Sequence, residues 1–568
     1  MSENPHLIPT RPQRWAFALI AAAAVAVVLL TCVRVWMPVY GLTRFIDIGR
    51  RFELRGTAVY RETPKYFAPF PGPDAGFDGQ WYAEISLDPL LRDPQLKVAL
   101  DNPPYRSNRI LLPWLAWLGG LGRPAWVLNV YAALNPLFWL GYVGLLYVLF
   151  RRHGWAGVAG FAAMLFTCGI IESMFRALTD FPAFVLMGLA AMMGGTAGAG
   201  ILSLSMLARE ANLLGFGGVM ELGRPWGRTW GQNLLRAFIV VGPFALWFLY
   251  VRWRMAVPLP AGGAAPAAAH GLYDKVSQII ASMAGGNFDW PLHAIYLKFR
   301  AVARELHATG LDWKFYKSTP LHALLTIIAT LTQCFYLVTH PQWRNRFWRM
   351  AILFVPYFLC LSYQIWESHF TVTRHVLAIN LAFNLLLAIR PTKRWALWFL
   401  LGNCFVPYGI YKFVDFGLET PQRIEFKVEA GEQLDGAVTA AYGAGWSGPE
   451  WNTRRAWRWS MNRRAVVILT NTRPQPVAAT LSFNVRTLVP RDLRLSVRGV
   501  PVWAGRVEAK PATLALQTRR FSLPPGDTLV ELATPQPVSP AGVPPNADVR
   551  PLAFMVSEFA IAVTAPPR

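Results

Sequence analysis

Apolar runs long enough to cross a lipid bilayer recur along this chain, and they constrain its fold more than any other feature. The first run, Trp15 to Trp36, is 22 residues long, whereas a bilayer core needs roughly 17–25 residues of helix. No small-residue cleavage pattern follows it, so it is expected to remain as an uncleaved first span. Further runs lie at about 125–150, 155–172, 181–197, 200–218, 236–253, 319–339, 348–366, 374–390 and 395–411. The pattern predicts a polytopic α-helical membrane protein of about 10–11 spans.

The amino-acid composition agrees with a lipid environment. Hydrophobic residues make up 54% of the 568 residues and charged residues only 15%, and a soluble protein of this size could not bury so much apolar side chain. The formal net charge is +23. Because the arginines stand between apolar runs, the positive-inside rule and anionic headgroups account for that charge. A nucleic-acid partner is therefore not expected, and the bilayer itself is the expected partner.

Arginines and lysines in the loops predict the orientation of the spans. Arg11 and Arg14 place the N-terminus in the cytoplasm, and later cytoplasmic loops are marked by Arg344, Arg346, Arg349, Arg390, Lys393 and Arg394. The chain after Lys412 is then expected outside, together with two long polar loops at about 37–108 and 255–318. The alternation of sides fails once, so either 109–122 or 200–218 is expected not to cross.

From about residue 421 the sequence pattern changes. Segments such as AVVILTN and ATLSFNVRTL alternate apolar with polar residues and are separated by Pro, Gly and Asn, which predicts strands and turns. We therefore expect a membrane domain over 1–420 and an all-β sandwich or jelly-roll domain over 421–568. The tryptophan-rich stretch GWSGPEWNTRRAWRWS is either a carbohydrate platform or the core and rim of that sandwich, and the second is favoured.

The segment FDGQWYAEI, at 77–85 in the first external loop, is the most informative one for chemistry. It joins a carboxylate, Asp78, to a glycine that permits close backbone approach and to Gln80, Trp81 and Tyr82, the last two with rings suited to sugar faces. The competing interpretation is an aromatic-belt turn in which Asp78 only caps a short helix.

This segment resembles the (W/F)DG-x-x-Y-x-x-I signature in the first external loop of GT-C-type glycosyltransferases, among them bacterial cell-surface glycopolymer transferases. Three later segments are similar to motifs of the bacterial members: YR-x-x-R-x-x-x-P at 105–113, FRALTD-x-PA at 175–183 and LAREANLL at 207–214. They occur in the same order over roughly the first 220 residues, and beyond that only the general architecture matches. Four weak motifs in order are more specific than any one of them.

The resemblance implies a GT-C-like fold and an inverting glycosyltransferase. Such an enzyme moves a sugar from a polyprenyl-phosphate donor to a lipid-linked glycan or cell-surface polymer. It implies the periplasmic face of a bacterial inner membrane as the place of reaction, with the C-terminal domain periplasmic. Asp78 is then the general base, which takes the proton of the acceptor hydroxyl as that oxygen attacks the anomeric carbon.

Cations are needed to stabilise the departing phosphate, and arginine suits this task because its fork pairs with oxyanions. The residues expected to bind substrate are Gln80, Trp81, Tyr82, Arg106, Arg109, Arg176, Asp180, Arg374 and His375. Any one of the arginines could instead extend its side chain to lipid headgroups.

Asp180 lies among apolar residues between two predicted spans, where an ionisable group is expensive. It could bind acceptor hydroxyls or help Asp78 to hold a divalent cation, although no cofactor is certain. The alternative, slightly favoured, is an i,i+4 ion pair with Arg176. Arg209 and Glu210 are interpreted as a second intramembrane pair. A carboxylate pair with Asp74 has no supporting motif.

Two other function classes remain open. A transporter or flippase of lipid-linked sugars would show inverted repeats and broken helices that place charges at the bilayer midplane. A non-catalytic scaffold would bind glycan or a partner through the β-domain, and Asp78 would then be dispensable.

Overall fold

The chain divides into two compact units. The computed structural model describes residues 9–36, 40–49, 56–66, 76–223, 228–255, 288–309, 319–418, 426–430, 434, 437–447, 450–451, 456–509, 513–540 and 551–564. The first unit, called the helical unit, comprises 1–47, 55–66 and 77–418, and the second, called the β unit, comprises 419–568 with the short segments 48–54 and 67–76.

Apolar helices of bilayer length make up the frame of the helical unit. Among the described residues, five are long and apolar enough to span a membrane: Arg11–Val35, Pro124–Phe150, Gly154–Phe175, Thr229–Arg254 and Pro320–Thr339. A sixth span is possible if Trp395–Gly402 and Val406–Asp415, which meet at 47°, count as one broken helix. A multi-pass α-helical membrane protein with an all-β C-terminal region is therefore confirmed.

Several predicted spans are short or interrupted helices, so the number of about 10–11 spans stays a prediction. The helices of the helical unit are α1 (Arg11–Val35), α2 (Ala58–Glu62), α3 (Gly79–Ile85), α4 (Leu96–Ala99), α5 (Pro103–Ser107), α6 (Leu111–Gly119), α7 (Pro124–Phe150), α8 (Gly154–Leu165), α9 (Cys168–Phe175), α10 (Asp180–Met193), α11 (Gly195–Ala208), α12 (Arg228–Arg254), α13 (His293–Thr309), α14 (Thr319–Thr339), α15 (Arg346–Ile352), α16 (Phe354–Leu359), α17 (Tyr363–Glu367), α18 (His369–His375), α19 (Leu377–Ile389), α20 (Trp395–Gly402) and α21 (Val406–Leu418), with 3₁₀ turns at Thr43–Ile46 and Glu210–Gly218.

These bounds bear on the two runs that broke the alternation of sides. The run 109–122 contains only the nine-residue helix α6, which is too short to cross a bilayer alone. In the run 200–218, α11 ends at Ala208 and a 3₁₀ helix follows from Glu210. Both runs therefore depart from a single regular spanning helix.

Local sequence explains where the principal helices begin and bend. In α1 the backbone N–H of Thr10 donates to Gln13 Oε1 at 2.9 Å, half of a capping box. Pro124 begins α7, where its missing N–H costs nothing. Gly169 lets α9 pack against α18, since a Cβ there would lie 2.4 Å from the carbonyl oxygen of Thr373.

The last helix before the second loop, α12, holds the first loop in place. The indole N–H of Trp247 donates to the carbonyl oxygen of Ser107 at 2.8 Å, and Arg254 Nη2 donates to that of Leu91 at 2.9 Å. These bonds fix the chain on both sides of α5. The first loop is therefore tied to the membrane helices rather than free of them.

The β unit is a sandwich of two main sheets. Its strands are β1 (Phe426–Ala430), β2 (Val438–Tyr442), β3 (Glu450–Trp451), β4 (Ala456–Trp459), β5 (Arg464–Asn471), β6 (Val477–Thr487), β7 (Arg491–Val497), β8 (Val500–Val507), β9 (Leu514–Gln517), β10 (Phe521–Leu523), β11 (Gly526–Ala533), β12 (Ser539–Pro540), β13 (Pro551–Leu552) and β14 (Phe554–Thr564). One sheet has the order β10-β6-β14-β4-β3, with β1 parallel to β14 and β9 paired to β6, and the other has the order β2-β5-β11-β7-β8.

The alternation seen in the sequence produces the core of this sandwich. Every second residue of β5 is buried, as is every second residue of β7, because successive side chains in a strand point to opposite faces. Buried residues of both sheets pack into one apolar cluster. Trp457 and Trp459 are also buried, so these two rings pack in the interior and do not form an open carbohydrate platform.

Candidate active site

Asp78 stands immediately before α3, whose seven residues are all buried. The backbone N–H of Phe77 donates to the carbonyl oxygen of Asp47 at 3.0 Å and fixes the entry to the helix. A Cβ at Gly79 would lie 2.3 Å from the carbonyl oxygen of Arg176. The glycine of the FDG motif is therefore required by close packing against the chain that leads into α10.

The carboxylate of Asp78 does not cap α3. Its side chain makes no capping hydrogen bond and instead accepts from Arg106 Nη2 at 2.9 Å through Oδ1. The side chain keeps 40% of its surface exposed, and no other described residue bonds to it. The interpretation of Asp78 as a simple helix cap is therefore wrong, and Oδ2 has no bond to a described residue.

Electrostatics keep Asp78 in its charged form. Burial raises the pKa of Asp78, but the guanidinium groups of Arg106 and Arg374 outweigh burial and hold that pKa below the ordinary value of an aspartate. Asp180 acts on Asp78 in the opposite direction. Asp78 is thus ionised at neutral pH and lies within electrostatic reach of Arg374 and Asp180.

Arg106 is held in one orientation by a second carboxylate. Its Nε and Nη2 donate to the two oxygens of Asp101, both at 2.8 Å, in the two-pronged geometry that arginine favours. Its Nη1 lies 3.4 Å from the hydroxyl of Tyr82. Asp101 therefore aims the guanidinium group that contacts Asp78.

Arg109 is fixed in the same way from a distant part of the chain. Its Nε and Nη2 donate to Glu210 at 3.0 and 2.7 Å, across 101 residues of sequence. Its remaining donors reach the hydroxyls of Tyr82 at 3.1 Å and Tyr105 at 2.5 Å. The hydroxyl of Tyr82 therefore joins Arg106 to Arg109, and the motif tyrosine connects the two arginines.

A second charged group surrounds Asp180 at the beginning of α10. Arg209 forms an ion pair with one carboxylate oxygen, and Arg374 Nη1 donates to the other at 3.1 Å. Arg209 Nη2 also lies 2.8 Å from His375 Nδ1, which is 3.0 Å from the hydroxyl of Tyr357. These five residues line one small pocket.

The two groups carry opposite excess charge. Around Asp78, the carboxylates of Asp78, Asp101 and Glu210 outnumber the guanidinium groups of Arg106 and Arg109 by three to two. Around Asp180, Arg209 and Arg374 outnumber the single carboxylate by two to one. We call them the acidic group and the basic group.

Two ion pairs expected from the sequence are wrong. Arg176 does not pair with Asp180; its Nε lies 3.0 Å from Glu172, and its guanidinium carbon lies 3.2 Å from the centre of the Phe77 ring. Arg209 and Glu210 do not pair with each other, because Glu210 binds Arg109 and Arg209 binds Asp180. Arg176 therefore stands apart from both charged groups.

The aromatic residues of the motif are buried. Trp81 is 4% exposed and Tyr82 1%, so neither ring has an open face for a sugar as the first loop is folded here. Gln80 is likewise buried. Tyr82 contributes through its hydroxyl, and the role of Gln80 and Trp81 in binding substrate stays a prediction.

The donor set does not fit a divalent cation held by Asp78 and Asp180. Each of these carboxylates already bonds to arginine, and guanidinium groups at the ligand oxygens repel a second positive charge. Within the described parts of the chain, no group of three or more His, Cys, Asp or Glu residues could hold a metal ion. Asp74 lies outside the described residues.

The sequence pattern did not indicate Asp101 or Tyr357. It predicted Arg209 as the partner of Glu210, whereas the partner is Arg109. Asp101 stands five residues before Arg106, a separation that suggests no particular pairing. Tyr105 and Glu210 do lie inside the two segments that resemble family motifs. That location was the one signal that could have linked them to the site.

Comparisons with known proteins give low similarity throughout. No protein-family model and no curated protein matches this chain. Among solved structures, the arabinosyltransferase EmbB from Mycobacterium smegmatis matches with a TM-score of 0.22 and 11% identity, over 95% of this chain and 64% of that one. A GH26-CBM35 β-(1,4)-mannanase from Podospora anserina matches with a TM-score of 0.14 and 10% identity, over 23% of this chain and 26% of that one. The chain thus spans less than two thirds of either structure, and TM-scores this low carry no inference about function.

Proposed function

We propose that this protein is an inverting membrane glycosyltransferase that takes sugar from a polyprenyl-phosphate donor. The observation that carries the proposal is the opposite excess charge of the two groups that flank the site. A base operates best where it is ionised and accessible, and a leaving phosphate is best stabilised where positive charge exceeds negative. In the acidic group Asp78 is partly exposed and its pKa is held low by Arg106 and Arg374, and in the basic group positive charge exceeds negative.

In the proposed reaction, the acceptor hydroxyl oxygen attacks the anomeric carbon of the donor sugar. The bond from that carbon to the phosphate oxygen breaks, and polyprenyl phosphate leaves with the electron pair. Asp78 takes the hydroxyl proton on Oδ2 and later releases it to water. Arg374 and Arg209 stabilise the charge that develops on the phosphate, because both guanidinium groups already face one pocket.

The remaining assignments follow from the resemblance of the four motifs. We propose a lipid-linked glycan or cell-surface polymer as the acceptor, the periplasmic face of a bacterial inner membrane as the location, and a periplasmic C-terminal domain. Gln80 and Trp81 are proposed to shape the acceptor site beneath Asp78. Tyr82 is proposed to keep Arg106 and Arg109 aligned beside it.

The test is transfer by the purified full chain in detergent, supplied with a radiolabelled short-chain polyprenyl-phosphate sugar and a crude acceptor lipid. Asp78→Asn removes the base but keeps the shape, and removal of a general base is expected to lower the rate by about 10²–10⁴-fold. Glu62→Gln is the matched control, since Glu62 is an exposed carboxylate of the same loop. Full transfer by folded Asp78→Asn would exclude Asp78 as the base.

A flippase of lipid-linked sugars is the second candidate, because α20 and α21 form one bent pair at 47° and broken helices are typical of transporters. The same preparation separates the two proposals when it is reconstituted into liposomes. Movement of a fluorescent polyprenyl-phosphate sugar between leaflets, without any transfer product, would favour the flippase.

A further inference from the structure

A small cavity with polar lining residues lies beside the break between α20 and α21, among the apolar helices of the helical unit. Its volume is about 30 Å³, enough for one or two species the size of water, since one water needs about 10–15 Å³ on this measure. It is lined mainly by α14, by the junction of α18 with α19 and by the residues at the break. None of the lining side chains is charged.

Two buried amide oxygens at this cavity have no donor among the described residues. Gln333 donates its amide N–H to the carbonyl oxygen of Gly402 at 2.6 Å, which fixes the orientation of the amide and leaves Oε1 unpaired. Asn380 Oδ1 is likewise unpaired. The two residues are 4% and 7% exposed, so bulk water does not satisfy these oxygens, and unpaired buried polar atoms need an explanation.

Three of the four threonines that line the cavity also offer acceptors rather than donors. The hydroxyls of Thr167, Thr326 and Thr330 donate to the carbonyl oxygens of Ala163, His322 and Thr326, at 3.0, 2.8 and 2.7 Å. Each hydroxyl proton is therefore engaged within its own stretch of chain, and the lone pairs remain. The neighbouring amides of Asn384 and Asn403 bond to each other at 3.0 and 3.1 Å and add no free donor.

The helix ends at the cavity do not produce a field of one sign, because Gly402 ends α20 whereas Val406 begins α21 and Cys168 begins α9. The unpaired atoms described above are acceptors, so an occupant must be a cation or a molecule that donates hydrogen bonds. A divalent cation would demand carboxylate ligands, and no carboxylate lines the cavity.

We infer that this cavity is a binding site for a single monovalent cation, Na⁺ or K⁺. Its ligands are the amide oxygens of Gln333 and Asn380, together with threonine hydroxyl oxygens. The ion satisfies both unpaired oxygens at once and holds α14 and α19 to the break between α20 and α21. The inference stands apart from the proposed transfer reaction, since none of these residues belongs to the acidic or the basic group.

The experiment is thermal unfolding of the purified full chain in detergent, followed by tryptophan fluorescence. The midpoint is compared in NaCl, KCl and N-methyl-D-glucamine chloride at one ionic strength. We expect a midpoint that rises with the concentration of Na⁺ or K⁺ and stays unchanged with N-methyl-D-glucamine, because a ligand that binds only the folded state stabilises it by mass action.

Variants of the lining residues test whether the cation-dependent rise of the midpoint arises at this cavity. Gln333→Met and Asn380→Leu remove one ligand oxygen each at similar volume and should abolish the cation-dependent rise. Asn380→Asp adds a full negative charge at the same position and should increase the rise. Thr339→Val is the control on the same helix, because its hydroxyl bonds to the carbonyl oxygen of Phe335 away from the cavity, and it should leave the rise unchanged.

Equal midpoints in all three salts would overturn the inference and leave the cavity as a site for bound water only. A rise that persists unchanged in both Gln333→Met and Asn380→Leu would also overturn it. Should one of these two variants fail to fold, the other decides the matter, because each removes one ligand oxygen and a rise that persists unchanged in the folded variant overturns the inference.

Discussion

The helical unit and the β unit both bury arginines, but they compensate the charge differently. Arg109 and Arg374 of the helical unit face carboxylates at 2.7 and 3.1 Å. Arg491 of the β unit is 1% exposed and donates only to neutral groups, the carbonyl oxygens of Gln536, Pro537 and Leu552 and the hydroxyl of Ser539. In the helical unit, opposite charges lie together around a pocket. In the β unit, one arginine connects a loop to a sheet by hydrogen bonds.

The difference separates buried arginines that have charged partners from one that has neutral partners. A buried ion pair is a poor way to gain stability, because desolvation offsets most of the Coulomb attraction. The acidic and basic groups together hold four arginines and four carboxylates, of which Asp78 is one. Under the proposed function, the field of these charges serves the transfer reaction rather than stability. Arg491 has no carboxylate partner among the described residues, since its bonds go to carbonyl oxygens and one hydroxyl.

Asp180→Asn is expected to have the largest effect on stability. It leaves Arg209 and Arg374 facing each other without a carboxylate, and removal of one partner of a buried pair costs about 3–5 kcal/mol. Chemical denaturation in detergent measures the change, with Glu62→Gln as the control. Unchanged stability would mean that water already solvates the basic group. The carboxylate partner would then not be what distinguishes these arginines from Arg491.

Glu84 provides a test at the other end of α3. Burial raises the pKa of Glu84 to about 7 from an unfolded value of 4.5, although the backbone N–H of Thr57 donates to it at 2.6 Å. The folded state therefore favours the protonated form. That contribution is complete below pH 4.5 and is lost as the pH rises through about 7, which amounts to about 3 kcal/mol.

The measurement is the free energy of unfolding between pH 5 and pH 8, for the native chain and for Glu84→Gln. The native chain should lose stability across this range, whereas the glutamine variant, which keeps the acceptor for Thr57, should show a flatter profile. Asp78 stands immediately before the same short helix with its pKa lowered, so Asp78→Asn should leave this particular slope in place. Parallel profiles for the native chain and Glu84→Gln would contradict the assignment.

The sequence predicted the architecture well because apolar runs and strand alternation are local signals. The repeat of bilayer-length runs indicated a multi-pass helical protein, and the change of pattern near residue 421 indicated the β region. The number of spans was harder to predict, because runs such as 348–366 fold as several short helices, α15, α16 and α17. Hydropathy measures apolar length and does not report a break within it.

The sequence singled out residues that lie together in the structure but not their ion-pair partners, and the roles of these residues stay a prediction. Asp78, Arg106, Arg109, Asp180, Arg374 and His375 were all singled out from the sequence, and the structure places them in the two adjoining charged groups. Their partners were not predictable, because Arg109 reaches Glu210 across 101 residues and Arg374 reaches Asp180 across 194. An i,i+4 spacing favoured Arg176 with Asp180, yet Glu172 stands at the same spacing on the other side.

Arg491→Met should cost less than Asp180→Asn, because it removes the charge together with the bonds. The carbonyl oxygens that it served lose a donor, a loss of about 1–3 kcal/mol, while the removed guanidinium group no longer has to be desolvated. Hydrogen exchange of the amides around Gln536 and Leu552, read by mass spectrometry on the full chain, measures the change locally. If exchange accelerated to the same degree in the helical unit, the effect of Arg491 on stability would not be local.

Tyr82→Phe is expected to have the smallest effect and to sharpen the comparison most. It removes only the hydroxyl shared by Arg106 and Arg109, and one such hydrogen bond contributes about 0.5–1.5 kcal/mol. The transfer rate should fall by about 10-fold at most, since 1.4 kcal/mol corresponds to that factor, and the free energy of unfolding should fall by about 1 kcal/mol. Tyr105→Phe, which removes a bond to Arg109 alone, is the matched control and should affect transfer less. A larger loss in Tyr105→Phe than in Tyr82→Phe would mean that the link between the two arginines is not what holds the acidic group in its working geometry.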